Sequence, residues 1–82
     1  MKKSSIINWF RYHHYNTNPC LESHHKFMGC LNFLEIKNSI GLSDLANGGN
    51  SDDDWKEILN CINSLTEEDL KHLGRLIKTK YK

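Results

Sequence analysis

The amino-acid sequence predicts an all-α fold, a single domain built as a small bundle of about four helices. Three observations support this prediction. Apolar residues recur at helical spacing in separate segments, polar residues suited to capping mark the segment ends, and no stretch carries a β-hairpin signal. At 82 residues, the chain has room for one domain whose hydrophobic core is only marginally large enough.

The first helix is predicted near the start of the chain, with Ser4 or Ser5 as its cap. Apolar and histidine side chains collect on one side of it, which is the pattern of an amphipathic helix. These residues are Ile6, Ile7, Trp9, Phe10, His13 and His14. Because the link at residues 16–18 is short, we expect the first two helices to pack as neighbours.

The second and longest helix, Asn18 to Ile40, is the one around which we expect the bundle to form. Asn18 is suited to cap it, and Pro19 at the first helical position loses only an amide that has no partner. The face predicted to be buried consists of Cys20, Leu21, His24, Phe27, Met28, Leu31 and Leu34. A narrower stripe of Phe33, Ile36 and Ile40 lies nearly opposite, which predicts neighbours on both flanks.

Two glycines mark this helix. Gly29 costs about 1 kcal/mol relative to alanine in a helix interior. Since the apolar register continues across it, we interpret it as a point of close approach by a neighbouring backbone and not as a break. Gly41 is suited to the left-handed position that ends a helix.

A flexible loop is predicted near residues 46–51, where Asn-Gly-Gly-Asn occupies 47–50. The third helix begins after it, because Ser51 followed by Asp54 resembles a capping box. Its predicted buried face is Trp55, Ile58, Leu59 and Ile62.

The fourth helix has an equally explicit start. Thr66 is predicted to cap it, with Asp69 at the third position and Leu65 packing against Leu70. Its predicted inward side is Leu70, Leu73, Ile77 and Tyr81, with Gly74 allowing close contact.

Charge and composition narrow the classes of function. The formal net charge is +1, so the chain lacks the excess basicity of a dedicated nucleic-acid binder, and we expect no nucleic-acid partner. No segment resembles a signal peptide or a membrane span, and three cysteines are an odd number. We therefore expect a cytoplasmic protein with reduced thiols. Peripheral proximity to a membrane and homo-oligomerisation both remain open.

Histidine and cysteine side chains are the ligands that zinc prefers. Cys20 and His24 would face one another on the second helix, and His13 is the third candidate ligand. The spacing matches no standard zinc finger, and Cys30 points away from this pair. We expect the protein to fold without a metal or other cofactor, and a small structural zinc protein is kept as an alternative.

Catalysis has no recognisable motif in this sequence. A nucleophilic site needs a serine or cysteine beside a histidine that a third polar group orients, and no acid is placed by such a motif. A chain this short also has little room for a substrate cleft. We expect that the protein is not an enzyme.

A basic stripe on the fourth helix is the main candidate for partner binding. Lys71, Arg75, Lys78 and Lys82 recur at helical spacing, and Leu76 lies off the predicted buried face. The stripe is either a solvated face that complements the helix C-terminus or a contact surface for an acidic partner. Trp9 and Phe10 form a second candidate, either an exposed docking patch or core residues.

The opening of the chain, rich in asparagine and lysine, is Met1-Lys2-Lys3-Ser4-Ser5-Ile6-Ile7-Asn8-Trp9-Phe10. Together with the chain length and the lack of signal or membrane segments, it resembles the lysis-inhibition antiholins of the rapid-lysis III type, small cytoplasmic accessory proteins of T-even phages. The resemblance extends over the whole chain and assigns no role to an individual residue. It implies a non-enzymatic protein that binds the cytoplasmic part of a membrane holin and delays hole formation.

An immunity protein, or another small inhibitor that neutralises a toxin, is the alternative. Such inhibitors commonly present an acidic face to a basic nuclease. Between Asp44 and Asp69 there are eight acidic residues and a single basic one, Lys56. This segment has the charge that such an inhibitor requires.

Overall fold

The structure is a computed structural model that describes residues 1–16, 20–41 and 51–79. Over these ranges the chain forms four α-helices and no β-strand, which confirms the all-α fold class. The helices are α1 (Lys3–Tyr15), α2 (Leu21–Asn38), α3 (Asp52–Asn63) and α4 (Glu67–Lys78). The predicted loop at 46–50 and the predicted roles of Asn18, Pro19, Tyr81 and Lys82 fall outside the described residues.

One hydrophobic core joins the helices. Its buried side chains are Ile6 and Phe10 from α1, Phe27, Cys30, Leu31 and Leu34 from α2, Ile58, Cys61 and Ile62 from α3, and Leu73 and Ile77 from α4. Leu59, predicted to be buried, is only half-buried, and Cys61 lies in the core instead. Both α1 and α2 pack against each of the other helices, so the predicted pairing of α1 with α2 is confirmed.

The ends of α2 differ from the prediction. The helix begins at Leu21, because Cys20 has an extended backbone and caps it by accepting the Ser23 amide at its sulfur. The prediction that Cys20 already lies inside the helix is therefore wrong. At the other end the left-handed residue is Ser39 (φ 54°) and not Gly41. The side-chain amide of Asn38 binds the Cys61 carbonyl at 3.3 Å, which ties the helix to α3 just before this reversal.

The buried face of α2 is also narrower than predicted. All of its fully buried residues lie on one side, where α1, α3 and α4 pack. Leu21 is 71% exposed and Ile36 is 67% exposed, so the predicted burial on both flanks is wrong for these residues. Phe33 alone of the second stripe packs against the core. A Cβ on Gly29 would meet no atom within 4 Å, so no neighbour approaches closely there.

The predicted caps hold for α3 and α4 but not for α1. The Ser51 side chain accepts the Asp54 amide, and Thr66 with Asp69 forms a complete capping box. The α1 helix begins at Lys3, with Lys2 in the capping position and no side-chain cap hydrogen bond. Ser4 and Ser5 are therefore already inside the first turn, where they cannot cap it.

Gly74 is a point of close contact, as predicted, and the neighbour is the start of the chain. A Cβ at this position would lie 3.0 Å from the Cβ of Met1. A distance this short is tighter than ordinary van der Waals contact. Glycine at this position lets Met1 and α4 pack together.

Polar contacts join α2 to both ends of α4. Lys26 donates to the Ile77 carbonyl at 2.9 Å, in the last turn of α4. At the other end of α2, the Lys37 ammonium lies 3.2 Å from the Asp69 carboxylate in the first turn of α4. These contacts show that α2 and α4 run antiparallel.

The end of α1 meets the start of α3. The buried His14 donates from Nε2 to the Ser51 carbonyl at 2.9 Å, and the Tyr15 hydroxyl donates to an Asp52 oxygen at 2.5 Å. The sequence pattern placed His14 on the apolar side of α1 but did not reveal this contact. It positions the capping residue of α3 against α1.

We expect Leu31→Ala to lower the free energy of unfolding by about 2 to 5 kcal/mol, because Leu31 is 1% exposed and a cavity would remain. Leu21→Ala in the same helix is the matched control, expected to change it by less than about 0.5 kcal/mol. Urea denaturation of dilute protein, followed by circular dichroism, measures both. Equal midpoints for the two variants would contradict the assigned core.

Candidate partner-binding surface

The basic stripe of α4 lies at the surface. Lys71, Arg75 and Lys78 are all exposed, one or two turns apart along the helix. Leu76 is not a free apolar residue beside them, because it is half-buried and packs against the core. The prediction that Leu76 is available to a partner is corrected accordingly, and the described stripe consists of the three cations.

A shallow groove between α2 and α4 adjoins the stripe. Its lining residues are Phe33, Lys37, Glu68, Asp69, Lys71, His72 and Arg75. The rings of Phe33 and His72 lie 4.9 Å apart, and the Lys37 ammonium lies 5.7 Å from the centre of the Phe33 ring. Two neighbouring aromatic rings thus line the groove together with charged side chains. We call the stripe and this groove together the α4 surface.

The charged side chains of the α4 surface are not all equally available to a partner. Partial burial raises the pKa of Asp69, but hydrogen bonds from Lys37 and Thr66 outweigh it and bring this pKa below its ordinary value. Asp69 is thus ionised and already engaged by its own chain. Lys71, Arg75 and Lys78 extend from the outer side of α4 beside the exposed Glu68, so cations outnumber anions on this side.

Sequence reasoning identified only the α4 half of this surface. Phe33 and Lys37 come from α2, and their distance from Lys71 in the chain gave no reason to group them. Their spacing of four residues on one helix did place them on the same side. The antiparallel packing of α2 on α4 brings that side against His72.

The second predicted binding patch, at Trp9 and Phe10, is corrected. Phe10 is completely buried in the core, so its side chain is not available to a partner. Trp9 is half-buried, with its ring 5.1 Å from that of Phe10 and 4.3 Å from that of His13. The core interpretation therefore holds for Phe10, and Trp9 packs against the same cluster.

The candidate zinc ligands occupy separate environments. The Cys20 sulfur is hydrogen-bonded to Ser23, and the His13 ring packs beside those of Trp9 and Phe27. Half-buried His24 has its ring 6.3 Å from that of His25. Within 1–16, 20–41 and 51–79, no group of three histidine, cysteine or acidic residues is arranged to hold a metal ion.

The cysteines differ in their chemistry. Hydrogen bonds with Ser23 lower the pKa of the exposed Cys20 thiol. Burial raises the pKa of the Cys30 thiol to about 12, and burial followed by the charge of Glu57 raises that of Cys61. Of the three thiols, that of Cys20 therefore ionises most readily.

Most of the described charges of the acidic segment lie at the start of α3 and α4. Asp52 and Asp53 are exposed in the first turn of α3, where the helix dipole favours negative charge. The pKa of Tyr15 is raised by its hydrogen bond to Asp52, by partial burial and by the negative charge of Asp52. Asp52 is thus partly used within the fold, whereas Asp53 and Glu57 line a separate shallow groove at the end of α2.

In the described part of the chain, none of the helices combines the length and the apolar character needed to cross a membrane. Comparisons with family models, with curated proteins and with solved structures find no match to this chain.

We expect iodoacetamide to modify Cys20 first in the native protein, with Cys30 and Cys61 protected until the core opens. Mass spectrometry of timed samples over a pH series measures the order and the apparent pKa. In Ser23→Ala, the loss of the side-chain hydrogen bond should move the pH midpoint of Cys20 modification upward. A faster reaction at Cys30 than at Cys20 would contradict this assignment.

The surroundings of His13 predict a pH dependence of stability. Burial, and then the nearby Lys26 charge, lower the pKa of His13 below its ordinary 6.5. The unfolded chain therefore binds a proton here more readily than the folded protein. The His13 contribution is complete above about pH 6.5 and is lost as the pH falls through and below that value.

The corresponding experiment is urea denaturation of wild type and His13→Gln between pH 5 and 7.5, read as the change from each protein's own value at pH 7.5. We expect the wild type to lose more stability than the variant as the pH falls. Parallel curves for the two proteins would mean that protonation of His13 does not destabilise the folded protein.

Proposed function

We propose that this protein acts by binding another protein, and not by catalysis, and that its α4 surface is part of the contact. The observation that carries the proposal is the set of exposed cations Lys71, Arg75 and Lys78 beside a groove lined in part by Phe33 and His72. A protein segment with acidic and apolar residues has the chemistry to fit this surface. Its carboxylates would meet the stripe, and its apolar side chains would meet the rings.

The arrangement of charge on α4 also has a purely local explanation. Acidic residues in the first turn and basic residues in the last turn both complement the helix dipole. That explanation accounts for Arg75 and Lys78, which lie in the last turn. Lys71 lies outside the last turn, beside the groove. Its position is the part of the pattern that favours a contact surface.

The resemblance to rapid-lysis III antiholins suggests a specific partner. We propose that the acidic segment belongs to the cytoplasmic part of a phage holin, and that occupying it delays hole formation and lysis of the host. Binding alone is sufficient for such a role, because an inhibitor needs only to hold its target in an inactive form. A small domain gains stability from the same event by mass action.

The test is the charge reversal Lys71→Glu with Arg75→Glu, measured against the purified cytoplasmic segment of a T-even phage holin. We expect association to slow about tenfold or more at low salt, with a smaller difference at moderate salt, because steering between opposite charges is screened. Stopped-flow or surface-plasmon measurements at two salt concentrations provide the rates.

The matched control reverses Lys3 and Lys56, two exposed cations outside the α4 surface, with the same change in net charge. It should bind nearly as well as the wild type, and both double variants should keep the wild-type melting temperature within a few degrees. An equal loss of binding in both double variants would mean that the effect comes from net charge and not from the α4 surface. Unchanged affinity in the α4 variant would remove this surface from the interface.

The immunity-protein alternative predicts a different partner and a different face. A basic nuclease domain would be held by exposed acidic residues such as Asp53 and Glu57. Binding of a nuclease but not of the holin segment, lost on reversal of these two residues and kept on reversal of Lys71 and Arg75, would replace the proposed function with this one.

A further inference from the structure

The exposed charges of α4 change sign along the helix. Glu67 and Glu68 lie in the first turn, and Lys71, Arg75 and Lys78 follow them. With a rise of about 1.5 Å per residue, these cations extend over roughly 10 Å toward the end of the helix. A partner segment therefore meets anions at one end of the helix and cations toward the other.

The groove beside α4 has two different ends. Where α4 begins, the Lys37 ammonium and the Asp69 carboxylate join α2 to α4 at 3.2 Å. The rings of Phe33 and His72 come next, and Arg75 lines the groove farther along α4. His72 and Arg75 are about 4.5 Å apart along the helix axis. An apolar side chain on the rings and a carboxylate beside Arg75 can therefore belong to neighbouring turns of one partner segment.

A helical partner matches the spacing of the cations better than an extended one. Lys71 and Arg75 are about 6 Å apart along the axis of α4, and Arg75 and Lys78 about 4.5 Å. Side chains on one side of a partner helix recur at the same two intervals, whereas those of a strand recur about every 6.6 Å. Extended peptides also gain affinity by adding a strand to a sheet edge, and the described ranges contain no strand.

The direction of a partner helix follows from its own dipole. Carboxylates stabilise a helix in its first turns, where the dipole is positive. If the partner runs antiparallel to α4, these carboxylates lie beside Arg75 and Lys78. If it runs parallel to α4, they lie beside Glu67 and Glu68, and like charges repel. The antiparallel direction also places opposite ends of the two helix dipoles together.

We propose that the α4 surface holds an amphipathic helix of the partner that runs antiparallel to α4. An apolar side chain of this helix contacts the rings of Phe33 and His72, and carboxylates one and two turns before it lie beside Arg75 and Lys78. Such a helix is a more specific form of the segment in the proposed function, on which this inference rests. Its pattern is a carboxylate, a second carboxylate four residues later and an apolar residue three residues after that, all on one side.

Two synthetic peptides of twelve residues and equal composition test the direction. The first has glutamate at positions 3 and 7 and leucine at position 10, and the second has the reverse order, with leucine at 3 and glutamate at 6 and 10. The other positions are alanine and glutamine, and the ends are acetylated and amidated. A side-chain bridge on the opposite face keeps both peptides helical, because acidic residues late in a helix weaken it. In chemical-shift titrations of the protein, the first peptide should have a dissociation constant at least about tenfold lower.

Paired changes in protein and peptide test the register. Arg75→Glu should weaken binding of the first peptide, and lysine in place of its glutamate at position 7 should restore binding, because the pair returns with opposite sign. The lysine peptide should gain nothing from Lys56→Glu, an exposed control outside the α4 surface. His72→Ala should weaken binding of the first peptide but not of a peptide with alanine at position 10. Because His72 is exposed, this variant should melt like the wild type.

The outcomes distinguish this inference from the proposed function. If reversal of Lys71 and Arg75 weakens binding of the holin segment but the reverse peptide binds as tightly as the first, the proposed function stands and the antiparallel helix is wrong. The same conclusion follows if the holin segment binds and neither peptide does. If the reversal leaves holin binding unchanged and neither peptide binds, both proposals fail. A charge swap at residue 75 that restores no binding would overturn the register.

Discussion

The fold depends on the side chains of α2 that satisfy the ends of its neighbours. Helix ends leave backbone groups without helical partners, and in a small domain each needs a donor or an acceptor. Lys26 supplies a cation to the carbonyl end of α4, Lys37 pairs with Asp69 in the capping box at its other end, and Asn38 donates to a carbonyl near the end of α3. These contacts fix the rotation of α2 about its axis. They turn one face to the core and leave the opposite face, centred on Gly29, in solvent.

Local sequence signals predicted the helices well where side chain and backbone meet within a few residues. Ser51 with Asp54, and Thr66 with Asp69, identified the starts of α3 and α4 because a cap is a local hydrogen bond. Helical periodicity likewise identified Leu31, Leu73 and most of the core. The exposure of Lys71, Arg75 and Lys78 followed from the same pattern, since cations seldom lie inside a small core.

Features that depend on tertiary packing could not be predicted from local sequence signals. Periodicity gives an apolar arc, but it does not say how many neighbours share it, so Leu21 and Ile36 were expected to be buried. The α2 half of the α4 surface was missed because Phe33 meets His72, and Lys37 meets Asp69, only through antiparallel packing. Cys20 caps α2 by accepting the Ser23 amide at its sulfur, and Ser39 has the left-handed conformation that was predicted for Gly41.

The packing of Met1 on Gly74 has a consequence for the order of events during synthesis. Met1 reaches Gly74 only after α4 has left the ribosome, and the same holds for Lys26, whose acceptor is the carbonyl of Ile77. Before then, α1 and α2 have each other and α3 to pack against, with the α4 side of the core still open. The element that completes the core is also the one that carries the cationic stripe. A nascent chain therefore does not present this surface on a finished fold until α4 has left the ribosome.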